Sequence, residues 1–122
     1  MDPKNSELYI KPDTIEKPWG SFRQFSLNQL STVKILHIKE GEEFSLQNHT
    51  HRAEFWRILK GQPIITIGDK KLLAKEGDEF MIPVKINHRA TAKDGDVDIL
   101  EISFGKFDEG DIKRIVDKYG RV

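Results

Sequence analysis

The sequence predicts an all-β fold, a sandwich or barrel of short antiparallel strands, on three observations. Short runs rich in β-branched and aromatic residues recur along the chain. Glycine, proline and aspartate separate them every few residues, as turns do. Helical periodicity is confined to the C-terminus.

The elements follow in order. Met1–Lys17 reads as an irregular leader punctuated by Pro3 and Pro12, with Pro18 just beyond it. Val33–Lys39 is a β-branched, partly alternating strand, and Phe44–His49 follows a turn at Gly41. Glu54–Lys60 ends at Gly61, and Ile64–Ile67 ends at Gly68-Asp69, a hairpin signal. Lys71–Lys75 runs to the turn Glu76-Gly77-Asp78, and Glu79–Ile82 stops at Pro83. His88–Ala92 and Val97–Phe104 complete about eight strands, which suits a barrel or sandwich. From Asp111, the residues Ile112, Ile115, Val116 and Tyr119 recur at helical spacing, with Gly120 where a C-cap would stand. A short C-terminal helix packed on the barrel is therefore expected.

Length and composition narrow the functions. A chain of 122 residues fits one domain, 1–122, able to bury a core without a structural metal or disulfides. A bound metal would then be functional. Twenty basic and twenty acidic side chains cancel, which argues against a nucleic-acid partner. The chain has no cysteine, so thiolate metal sites and disulfides are excluded. No stretch approaches the roughly 20 apolar residues of a membrane span, and the N-terminus lacks an apolar targeting core. A soluble, cytoplasmic protein is expected.

Chemistry concentrates around the histidines. The chain has four: His37, His49, His51 and His88. On a strand, residues two apart share a face, so Gln47, His49 and His51 could look into one interior. Glu54 opens the next strand, and His88 follows the turn at Pro83–Asn87. Two imidazoles, a carboxylate and an amide oxygen suit a divalent first-row metal. A polar surface loop would read the same from the His-x-His spacing alone. Two ligand sets fit: Gln47, His49, Glu54 and His88, or His49, His51, Glu54 and His88.

The stretch resembles the first motif of the cupin family, in which a glycine is followed by two ligand positions, a glutamate and a closing glycine. Gly41, Gln47, His49, Glu54 and Gly61 stand in those slots. The second cupin motif resembles Gly77 to Ala92: Gly77, Pro83 and His88 match, while Lys85 replaces a glycine and Ala92 an asparagine. This register favours Gln47 as the fourth ligand, and the Gln-His-Glu-His set resembles the zinc site of phosphomannose isomerases.

The resemblance narrows further to the type II mannose-6-phosphate isomerase domain, usually the C-terminal part of bifunctional enzymes that also make GDP-mannose. It rests on Lys17-Pro18-Trp19-Gly20-Ser21-Phe22, on Ser45 through Glu54, on His88-Arg89, on Glu101, and on Asp111-Ile112 through Tyr119-Gly120-Arg121. One departure is Phe55, where that family usually has histidine between the glutamate and Trp56. By alternation Trp56 points inward and Phe55 outward. With one domain's length, no nucleotidyltransferase part is expected, and guanylyltransferase activity is not carried over.

The resemblance implies a cupin double-stranded β-helix, a jelly-roll barrel, that interconverts mannose 6-phosphate and fructose 6-phosphate. It implies one divalent metal, zinc first and cobalt, manganese, nickel or iron as alternatives, which polarises the carbonyl and stabilises the developing oxyanion. Proton transfer between C1 and C2 needs a base. His51 and Glu101 are the candidate bases, and Lys34 is a candidate assisting donor or phosphate contact. Arg52 and Arg89 are the candidate phosphate contacts, with Arg121 a weaker third. Trp19 and Trp56 could wall the sugar, though aromatic core packing is the simpler role. Two other readings fit the same barrel: a non-catalytic metal-containing sugar-binding cupin, and an iron-dependent oxygenase. A homodimer formed through edge strands is expected.

Overall fold

The computed structural model describes residues 13–121. It is all-β, with antiparallel strands in a two-stranded, a four-stranded and a five-stranded sheet. The strands are β1 Asp13–Lys17, β2 Gly20–Gln24, β3 Ser31–Ile38, β4 Leu46–Asn48, β5 Ala53–Lys60, β6 Ile64–Ile67, β7 Lys70–Leu73, β8 Glu79–Ile82, β9 His88–Thr91, β10 Val97–Phe104 and β11 Lys113–Val116. The described residues hold no helix long and apolar enough to cross a membrane.

The four-stranded sheet runs β3-β10-β5-β8 and the five-stranded sheet β11-β4-β9-β6-β7. The core packs between them. Trp56, Ile58, Ile82 and Ile99 from the first sheet meet Ile65 and Ala90 from the second, all buried. Alternation fixes this: β5 turns Glu54, Trp56 and Ile58 inward, and β10 turns Val97, Ile99, Glu101 and Ser103 inward. Complete burial of an isoleucine such as Ile99 contributes about 1.5–3 kcal/mol.

The other face of the four-stranded sheet carries a second cluster, Phe55, Ile102 and Phe104, with Phe25 and Met81 against it. Phe55 thus does point away from the barrel interior, but it is buried. Phe25 covers it, with ring centres 5.1 Å apart. The β1-β2 hairpin is tied to the barrel where Arg23 and Arg57 both reach Glu79 Oε2, at 2.5 Å each.

Two expectations need correction. The leader is not irregular throughout: Asp13–Lys17 is β1, paired in register with Gly20–Gln24. Residues 1–12 of that leader lie outside the described residues. Among the described residues the expected C-terminal helix is not formed. Lys113–Val116 is instead β11, which pairs with β4 through Lys113–Asn48 and Arg114–Gln47. Ile115, Val116 and Tyr119 are exposed, so their spacing marks no buried helical face. β-Branched residues beside an open strand edge take the ladder hydrogen bonds that edge offers. Gly120, at φ 76°, closes a turn on Asp117 rather than capping a helix.

Two backbone positions match the motif slots. At Gly61 a Cβ would meet the Asp96 carbonyl oxygen at 2.4 Å, so only glycine fits. Lys85, where the motif has glycine, sits in the left-handed region at φ 66° and donates its N–H to His49 O at 2.7 Å.

Candidate metal centre

The site lies between the two main sheets at one end of the barrel. Register brings its parts together. Gln47, in the middle of β4, stands opposite His88 at the start of β9. Across the interior, Glu54 near the start of β5 stands opposite Ser103 of β10. Partners in an antiparallel register project to the same face. His49 follows β4 directly, and its ring is buried at 2% exposure.

Hydrogen bonds fix how these groups point. His49 Nδ1 donates to the Asp111 carbonyl oxygen at 2.7 Å, and His88 Nδ1 donates to the Ile86 carbonyl oxygen at 2.9 Å. Each ring spends its N–H on backbone, which leaves its Nε2 lone pair facing inward. Those atoms converge on one carboxylate oxygen. His88 Nε2 lies 3.1 Å and His49 Nε2 3.5 Å from Glu54 Oε1. The other oxygen, Oε2, accepts from Ser103 Oγ at 3.0 Å and from Arg52 Nε at 3.4 Å.

Glu54 Oε1 and His88 Nε2 are buried without a hydrogen-bond partner. Lone pairs aimed at one another in a dry interior repel, and such groups ordinarily find a partner. A proton or a metal cation between them supplies what is missing. One donor atom each from His49, Glu54 and His88 lies within 4.8 Å of the others. A tetrahedral ion with bonds of about 2.0–2.2 Å spaces its donors by about 3.3–3.6 Å, so this donor set fits a divalent metal. Gln47 Oε1, beside them in register, accepts from the fully buried Ser45 Oγ at 2.6 Å.

Electrostatics agrees with the geometry. Burial pushes the His49 imidazole below its usual value, against the opposing pull of the Glu54 charge, so the ring is held neutral. Burial pushes the Glu54 carboxyl up. Its neighbours His88, His49 and Arg52, His88 first, more than reverse this and hold the Glu54 carboxyl below its usual range, so it stays ionised. Glu101 is the opposite case. Burial and the neighbouring Glu54 charge push it well above the usual carboxylate range, against the hydrogen bond from Trp56.

A cavity of about 220 Å³ opens beside these groups, lined by Lys34, Gln47, Arg52, Glu54, Glu101 and Phe107. Glu101 is opposite both Lys34 of β3 and Trp56 of β5. Trp56 Nε1 donates to Glu101 Oε2 at 3.0 Å, and the Trp56 ring stands edge-on to His88 at 5.5 Å. Arg52 is buried. It donates to the Asp108 carbonyl oxygen at 3.1 Å, and its Nη2 lies 3.3 Å from His49 Nε2.

Not every candidate residue reaches the cavity. β4 ends at Asn48, so the alternation that would align His51 with Gln47 and His49 is broken. The His51 side chain is 78% exposed, with Nδ1 3.8 Å from Asp111 Oδ2. Arg89 donates to the carbonyl oxygens of Phe44 and Val116 and pairs with Glu43 at 3.0 Å, bracing β11. Arg121 pairs with Asp117 at 2.7 Å. Trp19 is exposed on the β1-β2 turn, stacked on Phe22.

Several supporting residues escaped sequence reading. Ser103 shares the Glu101 parity on β10 and was recoverable by counting. Asp111 opens the C-terminal segment expected to be a helix and Phe107 lies in the loop before it, and no local pattern announced their contacts.

Comparison with known proteins places the family. The family model described as mannose-6-phosphate isomerase C-terminal matches residues 4–117. Mannose-1-phosphate guanylyltransferase of Escherichia coli K12 is 36% identical over 112 residues, which cover 88% of this chain and 23% of that protein. Alginate biosynthesis protein AlgA of Pseudomonas aeruginosa is 36% identical over 110 residues, again 88% of this chain and 23% of that protein. The chain thus spans about a quarter of these relatives. Among solved structures, a cupin protein from Bacteroides fragilis matches at TM-score 0.57 and 26% identity, covering 67% of this chain and 72% of that one. NovW, a 4-keto-6-deoxy sugar epimerase of Streptomyces spheroides, shares the fold at TM-score 0.65 and 11% identity, covering 85% of this chain and 66% of that one. The paired main sheets, the His-Glu-His cluster between them and the match over residues 4–117 make this chain a cupin that belongs to the mannose-6-phosphate isomerase C-terminal family.

Proposed function

We propose that the chain is a metal-dependent sugar-phosphate isomerase that interconverts mannose 6-phosphate and fructose 6-phosphate. The observation that carries this reading is the convergence of His49 Nε2, His88 Nε2 and the orphaned Glu54 Oε1 beside a cavity that also holds Glu101. His49, Glu54, His88 and Gln47 would hold one divalent ion, with zinc as the first choice for this nitrogen and oxygen set. Such an ion supplies Lewis acidity at the sugar carbonyl.

The rest falls to side chains. Glu101 is inward, buried and adjacent in register to Lys34, and is assigned the proton transfer between C1 and C2. Trp56 orients its carboxylate. Lys34 and Arg52 are the cations that line the cavity and are assigned the phosphate end. Arg89 is given up for that role, because it braces β11 through Phe44, Val116 and Glu43 and does not line the cavity. His51 is likewise given up as a base because it faces solvent.

Incubation of the metal-loaded protein with mannose 6-phosphate in deuterium oxide tests the reading. Deuterium at C1 of the fructose 6-phosphate formed is expected. No product and no exchange, despite stoichiometric metal, would favour a non-catalytic sugar-binding cupin.

A homodimer is also proposed. Its support is the apolar surface left by Leu27, Leu30, Val33 and Ile35, each at least 60% exposed, on and just before the edge strand β3. Light scattering should give twice the chain mass; a monomer mass contradicts this.

A further inference from the structure

The cavity wall gathers positive charge around one aromatic ring. Lys34 Nζ lies 4.0 Å and Arg52 Cζ 4.3 Å from the centre of the Phe107 ring. The two cations are therefore no more than about 8 Å apart, the two distances laid end to end. Like charges held this close raise each other's energy, and an aromatic face offsets part of that cost.

Their carboxylate partners are unequal. Arg52 has the buried Glu54. Lys34 stands opposite the buried Glu101 in register and, among the described residues, pairs with Glu109 at 4.0 Å, whose side chain is 88% exposed. An ion pair in that setting contributes little and is readily exchanged for a better anion. Phe107, Asp108 and Glu109 share one loop between Gly105, at φ 98°, and Gly110. The same loop reaches Arg52 through the Asp108 carbonyl oxygen. One short segment thus touches both cations three ways: by a ring, a carbonyl and a carboxylate.

We propose that loop 105–110 is the specificity element for a phosphate monoester: Phe107 positions Lys34 and Arg52 around one phosphate group, and Glu109 occupies Lys34 until that phosphate displaces it. This rests on the isomerase reading for the sugar and adds how its charged end is selected. A phosphate dianion offers more charge and more acceptor oxygens than the Glu109 carboxylate and can engage both cations at once. A neutral sugar cannot make that exchange. Phe107 touches no reacting atom and is a positioning residue.

Calorimetric titration of the full metal-loaded chain with mannose 6-phosphate, inorganic phosphate and unphosphorylated mannose tests this. Both phosphates should bind, and mannose should bind far more weakly. Phe107→Ala should weaken mannose 6-phosphate roughly tenfold. Phe107→Leu, which keeps bulk without the ring's charge distribution, should weaken it comparably, and Phe107→Tyr should restore it. Glu109→Gln should tighten inorganic phosphate roughly threefold. In turnover, Phe107→Leu should raise KM and leave kcat near wild type. Wild-type affinity in Phe107→Leu, weaker phosphate binding in Glu109→Gln, or no phosphate binding by wild type would each overturn the proposal. If the affinities follow this pattern without isomerisation, the loop assignment stands and the isomerase reading falls. Isomerisation with unaltered affinities gives the reverse.

Discussion

His88 Nε2 lies 3.1 Å from Glu54 Oε1, both are buried, and neither has a hydrogen-bond partner. The contact joins β9 of one sheet to β5 of the other, and a cation there would tie the two sheets together. His88→Ala and His49→Ala should each abolish stoichiometric metal while the strand signature in circular dichroism persists. Glu54→Gln, nearly isosteric, should cut metal affinity by at least about tenfold through loss of the charged donor. Metal content by mass spectrometry decides this; retained stoichiometric metal in both histidine variants contradicts the ligand assignment.

Glu101 and His51 should separate in kinetics. Glu101→Gln keeps a partner for Trp56 Nε1 but removes the proton acceptor, and kcat should fall about a hundredfold or more. His51→Ala should leave kcat within about threefold, because its ring faces solvent and transfers no proton at the cavity. The opposite ranking would return His51 to the reaction.

Glu79 should set an acid limit on the hairpin. Burial is the largest single influence and pushes its carboxyl up, but the hydrogen bonds and charges of Arg23 and Arg57 together hold it below its usual value. A lowered folded value means that its contribution to stability is fully present above the unfolded value, about 4.3. It is lost as pH falls through the folded value. Thermal melts below about pH 4 should therefore show a steeper loss in wild type than in Glu79→Gln. Parallel curves would remove Glu79 from the acid response.

Lys85 carries a left-handed backbone at φ 66° with its N–H bonded to His49 O. Lys85→Gly should relieve this, partly offset by the greater freedom of unfolded glycine, for a net gain of about 0.5–1 kcal/mol. Denaturant melts measure it, and a loss of stability would show that the lysine side chain compensates.

Much of this was legible beforehand, for identifiable reasons. β6, β8 and β10 fall at the expected residues because short apolar runs are bounded there by turn residues. Parity on β5 correctly turned Trp56 inward and Phe55 outward. Parity failed at His51 because β4 is only three residues long and alternation does not survive the bend that follows. The C-terminus misled because Ile112, Ile115, Val116 and Tyr119 fit helical spacing, while the open edge of β4, which decides the outcome, is a long-range feature. The support of His49 by Asp111 O, 62 residues away, was invisible for the same reason.

The most direct measurement follows fructose 6-phosphate from mannose 6-phosphate in a coupled assay, with and without chelator and after zinc is restored. Turnover that chelator abolishes and zinc restores is the expected result. Turnover that survives complete metal removal, or none with any divalent metal bound at full stoichiometry, would contradict a metal-dependent isomerase built on His49, Glu54 and His88.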